Sequence, residues 1–169
     1  EMRVGLIGNY TLDFIAPYLV VEGARKGFLL DIYNGPFNQI NQQLLELKSP
    51  LLNYNPDTIL IMTRFENFFA KGQAKLTGAR MANFEVEISS AIEALFSAIK
   101  VARSKTNANF IILNFSPPLR LVSGMADAGS HPSEIGLVAL ANRTLAKESS
   151  KVSGVFVADW AHFVLRTGY

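Results

Sequence analysis

Few residue pairs in this 169-residue chain have the types and spacing that catalysis needs. Asp159-Trp160-Ala161-His162 sets a carboxylate three residues ahead of an imidazole, the pairing that fixes the tautomer of a general base. The Asp127 to His131 stretch offers the same two groups one residue further apart. With Thr11 or a displaced serine as nucleophile, His131 or His162 as base and Asp159 or Asp127 as orienter, these residues would support hydrolysis or acyl transfer. Each also has a plainer role. Thr11 stands just before an apolar segment, where a hydroxyl serves as a helix cap. His131 precedes a proline at a helix start, and His162 falls on a helix continuing from Asp159.

A second group of residues suits binding. Asn9, Tyr10 and Thr11 are polar neighbours of Gly8, next to a segment whose helix N-terminus would hold an anion. Asn34 and Gly35 supply an amide and a backbone N–H, a donor pair of the kind that stabilises an oxyanion, or else a plain turn. Arg64 can take a carboxylate or phosphate through two parallel hydrogen bonds, and Asn67 can donate beside it. A surface ion pair between Arg64 and Glu66 would account equally well for those two charges. Phe65, Phe68 and Phe69 would dock another domain if exposed together and would be core or lid residues otherwise.

Several chemistries are excluded by what the chain lacks. It contains no cysteine, which removes disulfides, thiolate metal sites and cysteine nucleophiles and makes the cytoplasm the expected location. There is no G-x-x-x-x-G-K-[ST] loop, no G-x-G-x-x-G after the first apolar run, no G-x-S-x-G elbow and no H-E-x-x-H. Asn9 and Thr63 stand where a receiver domain would carry acidic residues. The net charge of +2 is spread along the chain, without the basic patch that nucleic-acid binding requires. Apolar residues make up 49% and charged residues 18%, a globular balance. The mean hydropathy is +0.20, yet polar residues interrupt every apolar run well short of the ~20 residues of a membrane span.

The elements that must carry these residues follow from periodicity and punctuation. Met2 to Ile7, Phe28 to Tyr33, Thr58 to Met62, Asn109 to Phe115 and Val155 to Ala158 are short apolar runs with the β-branched content of buried parallel strands. Helices are expected over Asp13 to Lys26, with Thr11 or Asp13 as N-cap, over Met81 to Lys105 and over Pro132 to Lys151, with Ser130 or His131 near its N-cap. Phe37 to Leu47 is expected as a polar-faced helix or loop. Strands alternating with helices predict a single α/β domain over residues 1–169, a three-layer α/β/α doubly wound parallel five-stranded sheet. Ligands in such sheets bind beyond the carboxyl ends of the strands, where the binding residues above fall.

The runs Gly8-Asn9-Tyr10-Thr11-Leu12-Asp13, Ala16-Pro17-Tyr18-Leu19 and Tyr33-Asn34-Gly35-Pro36-Phe37-Asn38-Gln39 resemble the N-terminal domain of FkbH-type proteins. The likeness continues through Ser49-Pro50-Leu51 and Asn55-Pro56-Asp57 to the late strand ending at Asp159. The resemblance implies an SGNH-hydrolase-like domain with flavodoxin-like strand order, the N-terminal part of a longer protein. A HAD-type phosphatase domain would follow it and supply the D-x-D-x-T aspartates and magnesium, a motif absent here. It also implies loading of a glyceryl unit from bisphosphoglycerate onto an acyl carrier protein in polyketide-type biosynthesis, with no cofactor in this domain. Against the SGNH pattern, Gly8 and Asn9 take the place of the G-D pair, and Tyr10 stands where the nucleophilic serine is expected. Gly35 matches the glycine that lends an oxyanion N–H, and Asn67 matches the third-block asparagine. Asp159 and His162 have the spelling of the terminal D-x-x-H block but come before its expected position. The resulting expectation is a non-hydrolytic substrate- or carrier-binding domain. The alternatives are an active esterase or acyltransferase using Thr11 or another hydroxyl, and a domain-docking module.

Overall fold

The structure, a computed structural model, describes residues 1–68, 81–121, 123–131 and 133–168. Five strands form its centre: β1 (Met2–Gly8), β2 (Leu30–Asn34), β3 (Thr58–Met62), β4 (Asn109–Leu113) and β5 (Val155–Ala158). They pair in the order β2-β1-β3-β4-β5, every neighbour parallel, with Val4 opposite both Ile32 and Thr58. The chain steps from β1 outward to β2 and then back across β1 to β3. The strand order therefore reverses at β1, and the crevice of a doubly wound sheet lies beyond its carboxyl end.

Alternation along the strands assigns the two faces. Ile7, Ile59, Ile61, Phe110 and Ile112 point to a large core closed by α2 (Ile40–Leu45), α3 (Pro50–Tyr54), α5 (Met81–Arg103) and α6 (Glu134–Ser149). In α5, Phe84, Ile88, Ile92, Leu95 and Ile99 recur at helical spacing and are buried, as the periodicity predicts. Full burial of each such side chain contributes roughly 1.5–3 kcal/mol. The opposite face is thinner. Val4, Leu6 and Met62 pack there with Leu12 and with Ile15 and Leu19 of α1 (Ile15–Arg25), and α7 (Trp160–Thr167) flanks the same side. Neither α1 nor α7 has a fully buried residue, so the two helices border this face more than they cover it.

The helix starts differ from expectation in informative ways. Residue Phe14 is the N-cap of α1, with no side-chain cap bond, and Thr11 is exposed. The first turn is instead closed by the Leu12 carbonyl, which accepts from Ile15 N and Ala16 N, while Asp13 accepts from the Asn34 amide. Helix α6 starts one turn beyond Ser130 and His131. Its cap is Ser133, whose Oγ accepts from Gly136 N at 2.9 Å, and the buried carboxylate of Asp127 accepts from Glu134 N at 2.7 Å. Helix α3 was not expected as a helix; Ser49 caps it by accepting from Leu52 N, with Pro50 in its first turn. Between β4 and α6 runs a 3-10 turn, Gly124–Gly129. The expected roles of Pro132 and Phe69, and of the Phe68 side chain, lie outside the described residues.

Candidate functional site

The carboxyl ends of β1 and β3 are joined by one buried side chain. Asn9 is 3% exposed; its Oδ1 accepts from Arg64 N at 2.9 Å and its Nδ2 donates to Arg64 O at 3.3 Å. Asn67, on the short helix α4 (Phe65–Phe68), donates from Nδ2 to Asn9 O at 3.1 Å. Gly8 permits this approach, since a Cβ there would lie 2.5 Å from Met62 O. Residue Asn38, in a left-handed conformation, donates its N–H to Gly8 O at 3.0 Å and ties in the loop after β2. The sequence-predicted residues Asn9, Arg64 and Asn67 thus meet, and both side-chain amides hold backbone.

The clamp leaves the Arg64 side chain exposed, with its guanidinium carbon 5.1 Å from the centroid of the Tyr10 ring. A cation over an aromatic face is attracted by the ring quadrupole. Tyr10 is half-buried at the position where the resemblance expects a serine. Burial pushes its phenol above the usual tyrosine range, and the Arg64 charge offsets part of that rise. At pH 7 the pair presents a neutral hydroxyl and a fixed cation, suited to holding a carboxylate or phosphate.

Gly35 and Asn34, which the sequence offers as an oxyanion donor pair or a plain turn, both donate within the fold. The Gly35 N–H is taken by Leu6 O at 2.8 Å, which extends the β1–β2 ladder. A glycine is needed here because a Cβ would meet Ile7 Cγ2 at 2.8 Å and Leu6 O at 2.9 Å. The Asn34 Nδ2 donates to Asp13.

The two carboxylate–imidazole pairs also take other partners. Asp159 is the N-cap of α7: its Oδ1 accepts from His162 N at 3.1 Å and from Asn114 Nδ2 at 2.9 Å. Asn114 completes the loop by accepting from Ala161 N at 2.7 Å. These hydrogen bonds, the Asn114 one first and then that from the His162 backbone, hold the Asp159 carboxyl below its usual range against the opposing effect of burial. Asp127 serves the α6 N-terminus, as described above, and His131 and His162 are exposed. Among the described residues, no hydrogen bond joins either imidazole to a hydroxyl or carboxylate side chain. Both aspartates are therefore helix caps, and Thr11 is exposed.

Sequence reasoning missed Asn114 and Asn142. Asn142 of α6 donates to Phe115 O and accepts from Phe115 N, both at 2.8 Å, repeating the two-point bond that Asn9 makes to Arg64. The available signal was an asparagine directly after β4, at a strand end where an amide replaces the missing ladder partner.

Two clefts open at these strand ends. One, of about 900 Å³, is rimmed by Tyr10, Arg64, Glu66, Asn67 and Ser116. The other, of about 420 Å³, gathers the carboxamides of Asn9, Asn38, Gln39, Asn41, Gln42 and Asn67. Among the described residues, no cluster of three or more His, Asp or Glu is arranged to hold a metal ion, and no helix is long and apolar enough to cross a membrane.

The sequence model of a family described as FkbH, N-terminal domain, matches residues 3–168. No curated protein matches the chain. Among solved structures, the N-terminal part of a Bacteroides fragilis protein containing a phosphatase domain complexed with Mg is similar at TM-score 0.76 and 15% identity. That match covers 99% of this chain and 42% of the other, so the chain spans less than half of that relative's length. A phospholipase A1 from Streptomyces albidoflavus matches at TM-score 0.67 and 15% identity, over 97% of this chain and 81% of its own. The acetylxylan esterase Axe2 from Geobacillus stearothermophilus matches at TM-score 0.64 and 14% identity, over 99% and 81%. At these identities the likeness is one of fold, and the fold is SGNH-hydrolase-like.

Proposed function

We infer, from a chain that belongs to the FkbH N-terminal domain family, that it is a non-hydrolytic substrate- or carrier-binding domain. The activity it serves, in this reading, is the loading of a glyceryl unit from bisphosphoglycerate onto an acyl carrier protein in polyketide-type biosynthesis. The observation that carries the reading is Tyr10 at the nucleophile position with the Arg64 guanidinium over its ring. A phenol held above its usual pKa is a poor nucleophile at neutral pH, whereas an exposed guanidinium beside it suits an anion. Asn9 supports the reading from below: it fixes Arg64 by its backbone, so the cation is positioned before any ligand arrives.

Magnesium enters this reading only through the family resemblance. This reading assigns the metal and the phosphatase aspartates to a second, HAD-type domain and routes no step through them here. Isothermal titration of the chain with 3-phosphoglycerate and with an acyl carrier protein tests the proposal. Replacing Arg64 with Ala removes a charge-assisted contact of about 1.5–3 kcal/mol and should weaken phosphoglycerate binding roughly 10- to 100-fold. Equal affinity of wild type and Arg64→Ala for both ligands would overturn the placement.

A further inference from the structure

The chain contains one Asn-Gly step, Asn34-Gly35, and it falls at the end of β2. A carboxamide followed by glycine is the arrangement most prone to lose its side-chain nitrogen, because a glycine without Cβ lets its backbone N reach the Asn Cγ freely. β2 is the edge strand beside β1, and none of its five residues is buried. An edge strand with few buried contacts opens at a lower free-energy cost than the whole domain. The most labile step in the sequence therefore stands on a strand that opens early.

In the closed fold each participating atom is held or shielded. The nucleophile, the Gly35 N–H, donates to Leu6 O at 2.8 Å, and Asn34 lies opposite Leu6 in the β1–β2 register. The leaving group, Asn34 Nδ2, donates to Asp13 Oδ1. An acceptor on Nδ2 pushes nitrogen density into the amide carbonyl and makes Cγ a poorer electrophile. Asn34 Oδ1 is buried with no hydrogen-bond donor among the described residues, so nothing there stabilises the charge that attack would place on it.

We propose that Asn34 is a deamidation site that β2 and Asp13 hold shut, so that conversion takes place in molecules whose edge strand has opened. On opening, the Gly35 nitrogen gives up its proton to solvent hydroxide and bonds to Asn34 Cγ. The Cγ–Nδ2 bond breaks, and the nitrogen takes a proton from water and leaves as ammonia. Water then opens the cyclic imide at either carbonyl, leaving an aspartate or an isoaspartate at position 34. Neither product restores the closed arrangement. An aspartate sets a second carboxylate against Asp13 where a donor stood. An isoaspartate lengthens the backbone by one carbon and takes the Gly35 N–H away from Leu6 O. The loop after β2, which Asn38 ties to Gly8 O at 3.0 Å, then loses its anchor beside the carboxamide cleft. The modification is a lasting record of an opening, and it is independent of what the strand-end crevice binds.

The test incubates the 169-residue chain at mildly alkaline pH in buffer and in urea, with peptide mapping to follow the amide-to-acid mass gain and isoaspartate at each asparagine. Conversion at Asn34 should lead all other asparagines in urea. In buffer it should run about 5- to 150-fold slower, the ratio that two hydrogen bonds of ordinary net strength give. Asp13→Ala, at an exposed residue, should raise the rate in buffer roughly 2- to 12-fold and leave the rate in urea unchanged. Asp13→Asn keeps an acceptor for Nδ2 and should match wild type. Melts of Asn34→Asp should lie below wild type, and the double variant Asp13→Asn/Asn34→Asp, which again sets a donor against an acceptor, should recover the loss. Equal rates in buffer and urea, an Asn34 that survives urea, or an Asp13→Ala chain no faster than wild type in buffer would overturn the proposal. So would an Asn34→Asp melt equal to wild type.

Discussion

Asn9→Ala should destabilise the domain well beyond the usual effect of losing a polar side chain. The amide makes two hydrogen bonds to one residue, accepting from Arg64 N and donating to Arg64 O, at a position 3% exposed. Each bond contributes a net of about 0.5–1.5 kcal/mol, and leaving a part-buried backbone N–H unpaired costs about 1–3 kcal/mol. Allowing for some relaxation of the exposed Arg64 segment, the total is roughly 2–4 kcal/mol. In a domain of this size each kcal/mol moves Tm by roughly 2–4 °C, so the midpoint should fall by about 4–16 °C. Thermal melts read by circular dichroism, with urea titrations beside them, measure this; the urea midpoint should fall with the slope unchanged, since the folded surface is the same. Asn9→Asp keeps the acceptor and sets a charge against the Arg64 carbonyl, and should be no more stable than Asn9→Ala. A Tm within about 1 °C of wild type for Asn9→Ala would refute the clamp as the link between β1 and β3.

Three further outcomes follow from the same strand ends. Arg64→Met keeps an apolar stem over Tyr10 and removes the charge, so the Tyr10 phenol should ionise at still higher pH in an ultraviolet titration; an unmoved or lowered step, judged against Tyr10→Phe, would separate the two groups. Asp159 has a depressed folded-state pKa, so its contribution to stability is present above its unfolded value and is lost as pH falls through the folded one. Melts of Asp159→Asn should therefore lie below wild type at neutral pH and converge with it in acid, whereas a gap that widens in acid would contradict the cap. Gly35→Ala puts a Cβ 2.8 Å from Ile7 Cγ2 and 2.9 Å from Leu6 O, an overpacking of about 1–3 kcal/mol that should lower Tm by roughly 2–12 °C; an unchanged melt would show that β2 has room to shift.

The sheet was legible because its parallel strands are short, near-continuous apolar runs rich in β-branched residues. Thr58 to Met62 and Val155 to Ala158 carry that signal to the residue. Helix α5 was equally plain from one stripe of Phe84, Ile88, Ile92, Leu95 and Ile99. Helix starts were harder, because several residues near each one can cap and only tertiary packing selects among them. Thr11, Asp13, Ser130 and His131 were all chemically able to cap, yet a backbone carbonyl closes α1 and Ser133 with Asp127 closes α6. The candidate site was half legible. Strand ends named Asn9, Tyr10, Arg64 and Asn67, and the sheet order brings them together. Spacing alone could not tell a D-x-x-H block that fixes an imidazole from one whose aspartate caps the helix bearing the histidine, as Asp159 does. Nor could it show that the Gly35 N–H is taken by the ladder, that Asn114 braces the start of α7 or that Asn142 holds the Phe115 backbone.

The most direct measurement is a parallel assay of covalent labelling and turnover: intact mass of the chain after a fluorophosphonate probe, and hydrolysis of p-nitrophenyl acetate and octanoate. A binding domain with Tyr10 at the nucleophile position predicts an unmodified mass and hydrolysis no faster than the buffer rate. A stoichiometric adduct on Thr11 or any serine, with turnover lost on replacing His131 or His162, would contradict the account and make the chain an esterase or acyltransferase.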